Sequence, residues 1–255
     1  MIRTLIVAAG LLAGWEVLVL LTGVPPFILP PPSLIAPLFA SHGDLLLHHA
    51  AITVLEIVLG LAFGVMLGLA AAISMMAWPR LRDWALPLLV ISQAIPVFAI
   101  APLLVLWLGY GLASKVAMAS LIIFFPVASA LFDGLRRTDP EWLALAQVMN
   151  APPHAVLLQL RLPSALPSFG SGLRVAASVA PIGAVVGEWV GASAGLGYLM
   201  MQQLARGQTP LAFAALLVLC VIGVALYHIV DLVLRRTIRW SADSLDTARS
   251  DLDRL

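Results

Sequence analysis

Charge is what this sequence has least of. Only 11% of its 255 residues are Asp, Glu, Lys or Arg, less than half the roughly 25% of an ordinary soluble domain. The net charge of +1 makes no case for a nucleic-acid surface, which is built on clustered basic residues. Lysine occurs once, as Lys115 after Ala113-Ser114, and no G-x-x-x-x-G-K-[ST] run exists. Without that phosphate cradle the chain does not bind and hydrolyse ATP in the P-loop manner. The single cysteine, Cys220, lies in an apolar run, so there is no internal disulfide and the thiol is expected in the core. An H-E-x-x-H pair, a nucleophile elbow and paired carboxylates in a soluble cleft are all missing. No catalytic residue and no metal site is therefore expected, and the chain is not expected to be an enzyme by itself.

What fills the chain instead is apolar: 62% of residues are hydrophobic and the mean hydropathy is +1.04. An integral membrane protein follows. A bilayer core takes roughly 20 apolar residues per helix, and on that count the all-α reading has about six spans, at 4–23, 51–77, 84–108, 115–135, 167–190 and 211–234. The first apolar stretch exceeds a signal-peptide core of about 7–15 residues and lacks a small-x-small cleavage site, so it reads as an uncleaved span. Arg3, Arg80, Arg82, Arg136, Arg137, Arg161, Arg235, Arg236 and Arg239 fall on one side of this alternation, and only Lys115 and Arg206 near the other. The positive-inside rule then makes both termini and the 136–167 loop cytoplasmic. The expected layout is a membrane domain over 1–240 and a polar cytoplasmic tail over 241–255.

The 136–167 loop is the one long polar interruption. Thr138 and Glu141 have capping-box spacing, while Asp139-Pro140 offers an alternative N-cap followed by proline at the first helical position. Trp142, Leu145, Ala146 and Met149 recur at i, i+3, i+4 and i+7, one apolar stripe. Asn150, ahead of Ala151, suits a left-handed helix end, and Pro152-Pro153 cannot continue the helix. A second short helix is expected to start there and stop before Pro163. Nothing in the loop's own sequence covers the stripe, so the helix is built to enter a partner's groove.

This loop resembles the cytoplasmic coupling loop of ABC importer permeases, which reads Glu-Ala-Ala, then Gly, then Ile/Val-x-Leu-Pro. Asp139-Pro140-Glu141 matches the lead-in, Ala146 the second alanine, and Leu160-Arg161-Leu162-Pro163 the close. Ala144, Leu145 and Asn150 stand where the family has Glu, the first Ala and Gly. Pro96, Pro102, Trp107-Leu108-Gly109, Gly111, Ser114-Lys115, the run 172–176 and the run 191–200 are similar to the nitrate/sulfonate/taurine branch. In look the chain is nearest to permeases for thiamine-precursor pyrimidines of the hydroxymethylpyrimidine type. The resemblance implies a type I importer permease embedded in lipid in the bacterial inner membrane. It implies a cytoplasmic ATPase dimer carrying the ATP and Mg, and a periplasmic or lipid-anchored substrate-binding protein. Six spans are few to enclose a pathway, so a second copy of the chain is expected in a twofold dimer.

Several apolar-span residues invite a role. Gly60, Gly64 and Gly68, and likewise Gly183, Gly187, Gly191 and Gly195, form small-xxx-small rows that let helices approach closely in lipid. Ordinary packing explains them; the alternative puts Gly183 and Gly187 on the translocation path or against a second copy. Pro87, Pro96 and Pro102 break the expected third span, and freed carbonyls at membrane depth must be met by protein or a wet cavity. The ionisable residues inside spans, Glu16, Glu56, Arg174, Glu188 and Asp231, must face the bundle interior or an edge. Glu16, Arg174 and Asp231 read as structural, and Glu188 reads as a pathway or gate residue balanced against a buried structural pair. His42, His48 and His49, between the first two spans, lack the cysteines or acidic cluster of a metal site. A stand-alone secondary transporter would need a mid-membrane ion site, and Glu56, read near its span's external end, serves it poorly. The absence of deep Arg or Lys clusters disfavours nitrate, sulfonate or taurine as cargo, with Arg174 the exception.

Overall fold

In the computed structural model, residues 2–238 and 240 are described. The expected tail at 241–255, Arg239 and the Arg3 side chain lie outside them. All elements are helical: α1 (Ile2–Thr22), α2 (Pro32–Ser41), α3 (Gly43–Ala77), α4 (Pro79–Ala94), α5 (Val97–Leu108), α6 (Leu112–Arg136), α7 (Pro140–Val148), α8 (Pro153–Ala155), a π-helical segment (Val156–Arg161), α9 (Leu162–Gly191), α10 (Leu196–Ala205) and α11 (Thr209–Thr237). Four continuous helices, Gly43–Ala77, Leu112–Arg136, Pro153–Gly191 and Thr209–Thr237, are long and apolar enough to cross a membrane.

Three expectations change. The helix that carries the second span begins at Gly43, ahead of the expected 51, so Glu56 sits 13 residues, about 20 Å, into it, fully buried. The expected third span is two helices. Ile95 is extended (φ −87°, ψ 115°), as a residue before proline should be, and only Ile95 and Pro96 separate α4 from α5. Pro87 and Pro102 lie inside helices, each forgoing one i→i−4 bond without ending its helix. And α10, whose apolar face falls between two glycine-rich turns, was not expected at all.

Two compact units divide the chain. The first takes the described residues up to Gly60, with Val97–Ala119 and Ala180–Val224. Its main core joins Ile35, Leu46, Ala50, Leu196, Leu199 and Leu211, and Trp15 packs on Phe213 with ring centroids 5.7 Å apart. Glu16 accepts the backbone N–H (3.0 Å) and hydroxyl (2.7 Å) of Ser33, which caps α2 from α1 and gives Glu16 the structural role expected of it. The α-carbons of Gly60 and Gly183 both abut Ala119 of α6, and Gly187 abuts Lys115. Lys115 itself is not in a loop. It starts α6, buried, with Nζ 3.0 Å from Glu56 Oε1 and side-chain exposures of 10% and 0%. Neither Glu56 oxygen has an aligned hydrogen bond, so charge rather than geometry joins the pair.

The second unit takes Leu61–Pro96, Ser120–Val179 and the described residues from Ala225 on. Ala72, Met75, Leu89, Leu131, Phe132, Leu135 and Ala165 form its core. A Cβ on Gly64 would lie 2.7 Å from Ile123, and one on Gly68 2.7 Å from Val127. These glycines are what let α3 lie on α6, since dispersion at close range is the main attraction between helices in lipid. Arg174 Nε donates to Asp231 Oδ1 at 2.7 Å, and Arg235 Nε to Oδ2 at 2.8 Å. One carboxylate thus serves two guanidinium groups, the pairing that costly charges in a span require.

Candidate functional site: the 136–167 loop

Backbone chemistry builds this loop from both ends. At its start the Leu135 carbonyl, left open at the end of α6, accepts the Thr138 hydroxyl at 3.2 Å and Arg161 Nη1 at 3.3 Å. Of the two N-caps the sequence allows, the structure uses Asp139: its Oδ1 accepts the Glu141 N–H at 2.9 Å, with Pro140 at the first helical position. At the far end Asn150 is left-handed, φ 51°. Its N–H donates to Gln147 O, and the Ala151 N–H donates to Ala146 O, each at 3.0 Å. That is a Schellman closure with asparagine in the usual glycine position.

The loop does not stop before Pro163. From Pro153 the chain runs through α8 and the six-residue π segment directly into α9, so Leu162 and Pro163 are helical. Proline lacks the N–H that an α-turn would use, and the wider π turn accommodates its ring. Arg161, at the junction, is tied to the end of α6 and also meets Met76 Sδ at 3.6 Å.

Between α7 and the π segment lies an open groove of about 220 Å³, lined by Trp142, Leu145, Ala146 and Met149 on one wall and by Val156 and Leu160 on the other. The stripe stays uncovered: Trp142 is 59% exposed, Leu145 53% and Met149 70%, and α7 has no buried residue. A nine-residue helix fixed at both ends thus leaves its apolar face open.

Pro96 and Pro102 are exposed. A Cβ on Gly183 would meet Ala119 of α6, and one on Gly187 would meet Lys115. Glu188 is 1% exposed; it accepts from Thr53 Oγ1 (2.6 Å) and from the N–H groups of Gly197 and Tyr198. The letters Gly191-Ala192-Ser193-Ala194-Gly195 also satisfy G-x-S-x-G, but they join α9 to α10 with no strand before them, so no nucleophile is raised there. Among the described residues no three His, Cys, Asp or Glu side chains group to hold a metal.

Residues 64–239 match the family described as binding-protein-dependent transport system inner membrane component. The chain belongs to that family of ABC importer permeases. The permease is 52% identical over 241 residues to a probable ABC transporter permease protein of Haemophilus influenzae, covering 94% of this chain and 98% of that one. It is 38% identical over 215 residues to the formylaminopyrimidine transport permease protein ThiX of Halalkalibacterium halodurans, covering 84% and 86%. Other relatives are named as riboflavin, aliphatic-sulfonate and taurine permeases. The fold is that of the MetNI methionine ABC transporter's solved structure (TM-score 0.61, 18% identity, 78% of this chain and 97% of that one). The permease is thus an all-α, multi-pass membrane protein of the type I importer class.

Proposed function

We propose that the permease forms, as a homodimer in the bacterial inner membrane, the pathway by which a thiamine-precursor pyrimidine enters the cytoplasm. An ATPase dimer holding ATP and Mg grips α7 from the cytoplasm, and a periplasmic or lipid-anchored binding protein delivers the solute. Residues 1–240 are the membrane domain, both termini face the cytoplasm, and 241–255 are a cytoplasmic tail. The observation that carries this reading is the stripe of Trp142, Leu145, Ala146 and Met149, exposed on a helix capped by Asp139 and closed by Asn150. ATP binding closes the ATPase pair and moves two such handles, biasing a two-state membrane domain. Arg161, holding the exit of the loop to the end of α6, passes that motion to the spans.

For cargo, two observations support the pyrimidine over a nitrate, sulfonate or taurine. A formylaminopyrimidine permease is 38% identical, against 31% and 29% for aliphatic-sulfonate and taurine permeases, and the two deep cations are engaged by carboxylates, Arg174 by Asp231 and Lys115 by Glu56. The test is Trp142→Asp in cells accumulating radiolabelled hydroxymethylpyrimidine. Uptake should fall at least about tenfold, and the ATPase should no longer copurify with the permease. Retained uptake with retained ATPase would refute the handle. Calorimetry of the partner binding protein against the pyrimidine and against taurine decides the cargo.

A further inference from the structure

The start of α10 is held in an unusual way. Its N-cap residue is Gly195, which has no side chain to cap with, at φ 116°. Four consecutive backbone N–H groups, 195 to 198, are nevertheless all satisfied, each by a side chain from another helix. Gly195 N–H donates to His49 Nδ1 at 3.0 Å, Leu196 N–H to Thr53 Oγ1 at 2.8 Å, and Gly197 and Tyr198 N–H to Glu188 Oε2. Thr53 in turn donates to Glu188 Oε1. The Glu188 carboxyl carbon occupies the space where a Cβ on residue 195 would stand, so glycine is required there by both φ and crowding. His49, Thr53 and Glu188 are all buried, where an unmet N–H has no water to turn to. A carboxylate at this position also complements the positive end of α10.

We propose that His49, Thr53 and Glu188 form a latch that sets the position of α10 and of the 192–198 turn, and that they act as positioning residues for transport. Glu188 is then an anchor for α10 and not a group that contacts cargo. One helical turn further along α3, Glu56 meets Lys115. Side chains of α3 and α9 thus meet at the first turn of a ten-residue helix whose own sequence supplies no cap. The transport half of the proposal rests on the permease assignment; the latch itself does not.

The test uses the assembled transporter in membrane vesicles, with Cys220→Ser and Ser193→Cys as background, Ser193 being exposed in the turn. The rate at which a membrane-impermeant maleimide modifies residue 193 reads the turn's position. Thr53→Val keeps the side-chain shape and removes the hydroxyl, which should raise that rate about tenfold and cut maximal uptake of radiolabelled hydroxymethylpyrimidine by a similar factor. Thr53→Ser should restore both. Should Thr53→Val not reach the membrane, His49→Phe removes a single acceptor and should raise the labelling severalfold. Labelling at the parent rate in the variant that folds, equal rates for Thr53→Val and Thr53→Ser, or raised labelling with undiminished uptake would each overturn the proposal. Failure of the parent transporter to take up the pyrimidine bears on the cargo alone, and nucleotide-driven ATP hydrolysis by the complex then replaces uptake as the functional measure.

Discussion

Replacing Gly172 by alanine measures how closely α9 lies on α6. A Cβ at 172 would come within 2.6 Å of the Pro126 carbonyl oxygen and would also collide with the Ala130 methyl. Carbon-to-oxygen contacts close to no nearer than about 3.3 Å and carbon-to-carbon contacts sit at about 3.5 Å or more, so the methyl, which the Cβ would approach more closely still, sets the larger demand and the helices must part by roughly 1 Å. Neither obstacle, a backbone carbonyl and a methyl fixed directly to the backbone, can rotate away, unlike the end of a flexible side chain. Such overpacking costs about 1–3 kcal/mol. Against it stands the better helix propensity of alanine, about 0.5–1 kcal/mol. Gly14→Ala isolates that second contribution, because nothing lies within 4 Å of its Cβ position. Gly172→Ala should therefore unfold more easily than Gly14→Ala by about 1–3 kcal/mol, read by tryptophan fluorescence during detergent-induced unfolding. Adding Ala130→Gly relieves only the methyl collision and should recover part of the loss. Equal stability of the two single variants, within about 0.5 kcal/mol, would refute the close approach.

Other outcomes follow from the same physics. Lys115→Met leaves the buried Glu56 carboxyl without its cation and should destabilise by up to about 3–5 kcal/mol, less where the carboxyl takes up a proton, while Lys115→Met with Glu56→Met should regain most of the loss; both are read from unfolding in detergent, and an additive double variant would disprove the pairing. At Asn150, whose φ is 51°, valine should destabilise the loop by about 1–2 kcal/mol whereas glycine is tolerated; protease cleavage between α7 and α8 should rise only for valine. Arg161→Met removes the tie to the Leu135 carbonyl. It should lower uptake while the ATPase still copurifies, and Arg161→Lys should recover part of it; equal uptake in all three would exclude the tie from coupling.

Local chemistry settled much of this protein before any tertiary contact entered. Scarce charge and long apolar runs made it a membrane protein, because a lipid core admits closed hydrogen-bonded helices and little else. Asp139-Pro140, the four-residue stripe and Asn150 determined α7 and its ends, since caps, periodicity and a left-handed turn depend on neighbours within one helical turn. What lies at a distance was not readable. Sequence spacing does not reveal that Lys115 meets Glu56 across 59 positions, or that Gly183 and Gly187 lie on α6. It also cannot reveal that the capless start of α10 is completed by His49, Thr53 and Glu188. Those depend on which helices the fold brings side by side, and hydropathy, being alike on every span, does not choose the neighbours. Close packing of small residues and the need to satisfy each buried polar group choose them, and both exist only once the helices have met.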